Sequence, residues 1–177
     1  IRSEQLLYDN SGWDDMVSFI AKPDLVWSKD NVDFLVNSFK SSFVLVYNKE
    51  KELIYKYGDS VCLNGLKYPD QEMINRQLTS APFSHYFQYS SNQLIEIFGA
   101  IVVPSSDADA RNTPPQGYLF IGRKWDADYL KEHGEATGYE VKFSDNYKPE
   151  TFQEDPSKIY FFKKIPDYSG ETIGTLI

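Results

Sequence analysis

The sequence predicts an α+β fold built around an antiparallel sheet. Apolar residues at helical spacing are concentrated before residue 40, whereas β-rich runs dominate from residue 43 onward. This segregation is typical of α+β proteins and differs from the alternation of a doubly wound fold. Residues 94–123 add two apolar arms joined by a polar loop at 105–116. We expect these arms to form the central hairpin of the sheet.

Length and charge limit the classes of protein that fit. The chain has 177 residues, 41% of them apolar, which is enough for one domain over 1–177 with a sheet core over 43–177. Its net charge is −8 and no Lys/Arg cluster appears, so no nucleic-acid partner is predicted. The longest apolar run, Ile97–Val103, is far shorter than the roughly 20 residues of a membrane span. The first residue is Ile, and the sequence ends within an apolar pattern, so we expect a piece of a longer protein.

Residue types that support metal or covalent chemistry are scarce. Cys62 is the single cysteine and lies between apolar residues, so we expect a buried, inert thiol. His85 and His133 are the only histidines. The Asp107–Asp109 segment departs from a calcium loop because Arg111 stands where an oxygen ligand is needed. We therefore predict neither a metal nor a cofactor.

The N-terminal region favours a helix over residues 3–21, with its apolar side chains on one face. The Ser11–Gly12 pair predicts a kink or break, because glycine destabilises a helix interior. We expect Trp13 to be buried against the sheet and Asp14 to accept hydrogen bonds from nearby donors. The neighbouring Asp15 is expected to be solvated.

A second helical segment follows Pro23, which ends the first because the residue before proline is pushed out of helical geometry. We place Trp27 in a linker, buried against the first helix. Ser28–Asn31 offers N-caps for a short helix that extends from Val32 to Phe39.

The remaining elements follow from alternation, turn residues and caps. Strands 43–47 and 53–57 pair through a turn at 48–51. Asp70 caps a helix that ends before Pro82, and Asp126 caps a later one. The other predicted strands are 84–89, 94–104, 117–123, 139–143, 158–165 and 171–177, with a loop at 144–157.

The candidate site consists of aromatic residues with a few polar groups, which are Trp13, Asp14, Trp27, Tyr47, Tyr86, Tyr118 and Arg123. Such a set is typical of a small-molecule pocket and equally of an aromatic core. We expect a ligand on the concave face of the sheet, between Tyr86, Tyr118 and residues 69–82.

Two further features would complete that site. Gly99 and Gly122 would leave room for a cavity, although they could also relieve strand twist or mark bulges. Arg123 would bind a ligand carboxylate through its two-pronged guanidinium. In the alternative, Arg123 pairs with Asp126 or Asp128 at the sheet edge.

Several short motifs resemble the CHASE class of extracytoplasmic sensor domains, specifically its fourth subtype. They are Tyr8–Asp15, Trp27 with Asn31, the hairpin 43–57, Gly99–Ala100, Gly117-x-Leu-x-x-Gly122-Arg123 and Asp167-x-x-Gly170-x-x-x-Gly174. The resemblance implies a PAS/Cache-like fold, in which the N-terminal helix precedes a central antiparallel sheet flanked by helices. It also implies a domain held between two transmembrane helices of a receptor such as a sensor histidine kinase. Ligands in the family are largely undefined, so the ligand stays unknown.

Three functions therefore remain open. The first is a non-catalytic sensor of a small molecule. The second is a small hydrolase or isomerase that uses His85 or His133 as its base. The third is a structural or dimerisation module without a ligand, and a homodimer through the first helix is also expected for a receptor.

Overall fold

A five-stranded antiparallel sheet forms the centre of the molecule. The structure is a computed structural model that describes residues 3–153 and 155–177, so Ile1, Arg2 and, within the predicted loop 144–157, Glu154 lie outside the described residues. The strands are β1 (Phe43–Asn48), β2 (Leu53–Gly58), β3 (Phe83–Ser90), β4 (Gln93–Val102) and β5 (Gly117–Lys124). They lie in the order β2-β1-β5-β4-β3. The predicted central hairpin is confirmed, because Ile97 lies opposite Gly122 and Val102 opposite Gly117 across β4 and β5.

The N-terminal helices divide more finely than predicted. They are α1 (Ser3–Ser11), α2 (Asp14–Ala21), α3 (Leu25–Asn31) and α4 (Asp33–Asn37). The predicted break falls at Gly12 and Trp13, where Trp13 has extended backbone angles. The linker predicted around Trp27 is wrong, because the Asp24 carboxylate accepts hydrogen bonds from the N–H groups of Val26 and Trp27 and begins α3 there.

Three helices lie between or after the strands. They are α5 (Ser60–Gly65), α6 (Gln71–Leu78) and α7 (Ala127–Thr137). Asp70 and Asp126 cap α6 and α7 as predicted. Helix α5 was not predicted; Asp59 caps it by accepting hydrogen bonds from the N–H groups of Val61 and Cys62.

The C-terminal strands form a separate small sheet rather than extending the central one. They are β6 (Phe143–Ser144), β7 (Lys163–Pro166) and β8 (Thr172–Leu176), in the order β6-β8-β7. The strands predicted at 139–143 and 158–165 are therefore too long. Ile159 and Phe161 are 85% and 72% exposed. Tyr160 and Phe162 pack on Phe152, so the run before β7 is covered on one side only. Ile165 joins Phe87 and Leu94 of the central sheet in a small apolar cluster.

The central sheet is covered on both faces, which explains its nearly continuous apolar strands. One face packs against α1 to α4 through Val44, Val46, Phe98, Val102, Leu119 and Ile121. The other, called here the tyrosine face, packs against α5 and α6 through Phe43, Leu45, Tyr47, Tyr86, Ile95, Ile97, Tyr118 and Phe120. Within the described part of the chain, no helix has the length and apolar character needed to cross a membrane.

Candidate functional site

The tyrosine face brings together three of the residues predicted to bind a ligand. Tyr47, Tyr86 and Tyr118 come from β1, β3 and β5 and belong to one buried cluster. Met73 and Ile74 of α6 cover that cluster. The three tyrosines therefore lie between the sheet and residues 69–82, and the binding of a ligand there stays a prediction.

Three hydroxyl groups on this face are buried without hydrogen-bond partners among the described residues. One is Ser84 Oγ, and the other two are the Oη atoms of Tyr47 and Tyr86. Burial raises the pKa of both phenols, so each carries its proton at neutral pH. Each therefore holds an unused hydrogen-bond donor, an arrangement that is rare in folded proteins.

Two further tyrosines extend the cluster to its rim. Tyr68 Oη donates to the carbonyl oxygen of Leu63 at 3.0 Å. Tyr168 Oη accepts a hydrogen bond from Lys67 Nζ at 2.7 Å, and the ring of Tyr168 lies 6.3 Å from that of Tyr86. The rim thus carries phenol and ammonium groups beside the buried hydroxyls.

Helix α6 is tied to the turn between β7 and β8. Gln77 Nε2 donates to the carbonyl oxygen of Tyr168 at 2.8 Å, and Arg76 Nη2 donates to that of Ser169 at 3.4 Å. Lys67, just before α6, holds the Tyr168 hydroxyl. A shift of α6 therefore acts directly on the C-terminal hairpin.

The two glycines predicted to form the floor of a cavity lie beneath phenylalanine rings instead. A methyl group on Gly99 would overlap the ring of Phe120, and one on Gly122 would overlap the ring of Phe43. The space that the glycines leave is therefore filled by phenylalanine side chains. The expectation of a cavity over Gly99 and Gly122 is wrong because aromatic residues pack flat against the backbone there.

Arg123 does not join the tyrosine face. It lies on the opposite face of β5 from Tyr118, because strand side chains alternate. Its guanidinium carbon is 4.0 Å from the ring centroid of Tyr129, and Nη2 is 3.7 Å from Glu132 Oε2. The expected carboxylate fork beside Tyr118 is wrong, and the ion-pair partner is Glu132 rather than the aspartates of 126–128.

The Trp13–Asp14 motif forms part of a junction between α2 and the β4–β5 loop. Asp14 Oδ1 accepts from the backbone N–H of Ser105 at 2.9 Å, and the backbone N–H of Asp14 donates to Ser105 Oγ at 3.1 Å. The expected hydrogen bonding of Asp14 is confirmed. Trp13 is only half-buried and packs on Trp27, with ring centroids 5.4 Å apart, so its expected burial against the sheet is wrong. Trp27 in turn stacks on Phe19.

Arg111 completes this junction, and sequence reasoning missed it. Its side chain is 8% exposed. It donates to Ser11 Oγ at 3.0 Å and to the carbonyl oxygens of Ile101 and Tyr8 at 2.9 and 3.0 Å. The guanidinium also lies over the rings of Tyr8 and Phe83. An arginine in a polar loop gives no sequence signal that its partners lie in the first helix.

The loop is held to α1 at two more points. Tyr8 Oη donates to Asp109 Oδ1 at 2.6 Å, and this hydrogen bond raises the pKa of the phenol. A methyl group on Gly12 would overlap Ala108. The motif at residues 8–14 therefore anchors the β4–β5 loop, a structural role.

The histidines were candidates for a catalytic base. His85 Nε2 lies 2.9 Å from Glu96 Oε1, and the ring stacks on Phe98. His85 also lines a cleft of about 510 Å³ with Tyr8 and Phe83. The adjacent Ser84 directs its hydroxyl toward Gly99 on the other face of the sheet.

His133 lies on α7, with its ring next to those of Trp125 and Tyr129. Among residues 3–153 and 155–177, no hydroxyl or thiol hydrogen-bonds to either imidazole. The same residues contain no group of three His, Cys, Asp or Glu side chains that could hold a metal ion. Cys62 is buried as predicted, and burial raises the pKa of its thiol.

Comparisons with known proteins agree with this architecture. The sequence profile of the CHASE4 domain matches residues 2–144. The crystal structure of the Vibrio cholerae LuxQ periplasmic domain superimposes with a TM-score of 0.53, covering 98% of this chain and 89% of that chain at 13% identity. At this identity the similarity shows the fold, a PAS-like α+β arrangement. No curated protein sequence matches significantly.

Proposed function

The chain belongs to the CHASE4 domain family of extracytoplasmic sensors, and we propose that it senses a small molecule for a membrane-bound signalling receptor. A sensor histidine kinase is one example of such a receptor. The periplasmic location of the structurally similar LuxQ domain supports a position outside the cytoplasm. In the full-length receptor, flanking transmembrane helices would carry the signal to an output domain.

The observation that carries the sensing proposal is the pair of unpartnered hydroxyls of Tyr47 and Tyr86. A buried polar group without a partner costs about 1–3 kcal/mol. Phenylalanine would fill the same space without that cost. A ligand that accepts hydrogen bonds beneath α6 would satisfy both groups. Such a ligand would explain why positions 47 and 86 carry tyrosine rather than phenylalanine.

The signal would pass through α6. A ligand shifts a conformational equilibrium only if it binds one state better than the other. Because Gln77 and Arg76 tie α6 to the β7–β8 turn, a ligand that moves α6 changes the position of that hairpin. The transmitted change is thus a shift of the C-terminal sheet relative to the central one.

A thermal-shift screen of organic acids, amino acids and amines tests the proposal on the purified chain. A compound at 100 times its dissociation constant should stabilise the fold by about 2.7 kcal/mol. The shift should be lost in Tyr86→Phe and in Tyr47→Phe and kept in Tyr139→Phe, because Tyr139 is exposed. If no compound gives a shift that depends on Tyr86, the face does not sense such ligands.

The pairing of His85 with Glu96 favours one alternative, a small hydrolase or isomerase with His85 as base. A carboxylate that orients the imidazole is one part of such a site. Hydrolysis of p-nitrophenyl acetate by wild type and by His85→Gln distinguishes the alternatives. Equal rates would reject catalysis of that ester by His85.

Association of two copies is a second alternative role. The outward residues of α1 are Glu4, Gln5 and Asp9, and a polar helix face would pair weakly without membrane tethering. Cysteine crosslinking in the full-length receptor tests this contact. Efficient crosslinks far from residues 3–21 would contradict a dimer through α1.

A further inference from the structure

Building on the proposed sensing function, we infer that the ligand of the tyrosine face is a small carboxylic acid, bound as its carboxylate by the hydroxyls of Tyr47, Tyr86 and Tyr168 and by Lys67. The inference rests on an imbalance between hydrogen-bond donors and acceptors around α6.

The donors come from the sheet and from the rim. The hydroxyl protons of Tyr47 and Tyr86 have no acceptor among the described residues. Because Tyr168 Oη accepts from Lys67 Nζ at 2.7 Å, the Tyr168 proton points away from the ammonium. Both Tyr47 and Tyr168 lie close enough to Tyr86 to raise its pKa electrostatically. Three phenol protons and one ammonium group therefore gather beneath and beside one helix.

The carboxylates in the same region each have one oxygen engaged by backbone N–H groups. Asp70 caps α6 through the N–H of Met73. Asp167 accepts from the N–H groups of Ser169 and Glu171 in the β7–β8 turn. A ligand ammonium would leave the phenol protons without an acceptor, because an ammonium group only donates. A ligand carboxylate offers about four acceptor positions and can receive those protons.

Ammonium groups also surround this face, although Asp70 and Asp167 lie near Lys67 and the chain carries a net charge of −8. Three lysines lie over tyrosine rings around this face, with Nζ to ring-centroid distances of 6.0 Å for Lys51 and Tyr118, 5.2 Å for Lys56 and Tyr68, and 4.8 Å for Lys67 and Tyr168. Ammonium groups strengthen hydrogen bonds to a carboxylate. The tyrosine rings would contact the organic part of the acid through their apolar surfaces.

A matched series of compounds tests the ligand class. Acetate, propionate, succinate, benzoate and 4-hydroxybenzoate are each compared with the amide and the amine of the same skeleton, and inorganic phosphate serves as a second anion. Thermal shifts are measured at pH 7 and constant ionic strength. At least one acid should raise the midpoint, whereas its amide, its amine and phosphate should not. Its affinity should fall about tenfold or more in Tyr86→Phe and in Lys67→Met.

Lys131→Met is the matched control, because Lys131 is exposed and pairs with Glu135 on α7, and it should leave the affinity unchanged. An amide, amine or phosphate that binds as well as the acid and depends on Tyr86 would overturn the ligand class but keep the sensing function. Acids whose binding is unchanged in both Tyr86→Phe and Lys67→Met would overturn the site. A series in which no compound gives a shift that depends on Tyr86 would overturn this inference together with sensing at this face.

Discussion

The guanidinium of Arg111 lies 4.9 Å from the ring centroid of Tyr8 and also donates to the carbonyl oxygen of Tyr8 at 3.0 Å. One cation thus contacts both the side chain and the backbone of the same residue in α1. The hydrogen bond to Tyr8 comes from Nη2 of Arg111. Nη1 of the same guanidinium donates to Ser11 Oγ and to the carbonyl oxygen of Ile101. This contact joins the first helix, the central sheet and the β4–β5 loop at one point.

Replacing this cation should destabilise the fold strongly. Arg111→Met leaves the carbonyl oxygens of Tyr8 and Ile101 buried without their donor, and we expect a loss of about 3 kcal/mol in the free energy of unfolding. Arg111→Lys should recover little, because a lysine cannot reproduce the forked geometry. Urea denaturation followed by circular dichroism measures both. The exposed Lys29→Met is the control, with an expected change below about 0.5 kcal/mol, and an equal effect from both methionine variants would contradict the role of Arg111.

Two tyrosine-to-phenylalanine changes should have different effects on stability. Without ligand, Tyr86→Phe should be neutral or stabilise the fold by about 1 kcal/mol, because it removes an unsatisfied hydroxyl. Tyr55→Phe should cost about 1 kcal/mol, since Tyr55 Oη donates to Asp33 Oδ1 at 2.7 Å. Thermal unfolding of both variants checks the pair. A clear loss of stability in Tyr86→Phe would mean that its hydroxyl has a partner in solution.

Replacing Trp13 by alanine should lower the free energy of unfolding moderately. Removing a fully buried aromatic side chain costs about 3–5 kcal/mol, but Trp13 is half-buried. We expect Trp13→Ala to cost about 2 kcal/mol through lost packing on Trp27. Asp15→Ala, at an exposed neighbouring position, should cost less than about 0.5 kcal/mol. Chemical denaturation that gives equal small losses would show that the ring adds nothing at the junction.

The ion pair between Asp59 and Lys124 should make stability depend on pH in acid. Lys124 Nζ lies 3.0 Å from Asp59 Oδ2, and its hydrogen bond holds the pKa of the Asp59 carboxyl below its usual value. A carboxyl with a lowered folded-state pKa stabilises the fold above its unfolded-state pKa, and that contribution disappears as pH falls through the folded-state value. Asp59→Asn should therefore cost up to about 1 kcal/mol at pH 7 and nothing well below pH 4.

Urea titrations at several pH values measure this difference. Asp59→Asn in a Lys124→Met background is the matched control, because that background lacks the ammonium group that pairs with Asp59. Its effect should not follow the same acid profile. A cost of Asp59→Asn that stays constant from pH 7 to pH 3 would show that the ion pair contributes nothing.

Strands β1, β4 and β5 were predictable because they are apolar on both faces, and β2 and β3 because their residue types alternate between clear turns. The caps Asp70 and Asp126 were predictable because a short carboxylate directly precedes each helix. The same rule would have found Asp24, but the proline beside it suggested a linker. Arg111 was not predictable, since its partners at Tyr8 and Ser11 are distant in sequence and no local pattern connects them.

Strand alternation alone would have shown that Arg123 cannot share a ligand with Tyr118. Tyr118 and Arg123 are separated by an odd number of positions on one strand, so alternation places them on opposite faces. The glycine error differs, because only packing shows whether a ring or a cavity fills the space over Gly99. The strand predicted at 158–165 was too long for a third reason. Ile159 and Phe161 have the residue types of a strand, but no described strand pairs with them.

The contacts of Arg111 also determine when the N-terminal helices can dock. Tyr8 and Ser11 precede their partner by 103 and 100 positions, and β1 pairs with β5 although three strands lie between them in the sequence. Such distant contacts slow folding, because long loops must close before any of them form. Helix α1 precedes the sheet in the chain but gains its anchor only after the β4–β5 hairpin exists. In pulse-labelling hydrogen exchange during refolding, the amides of α1 should gain protection later than those of β4 and β5.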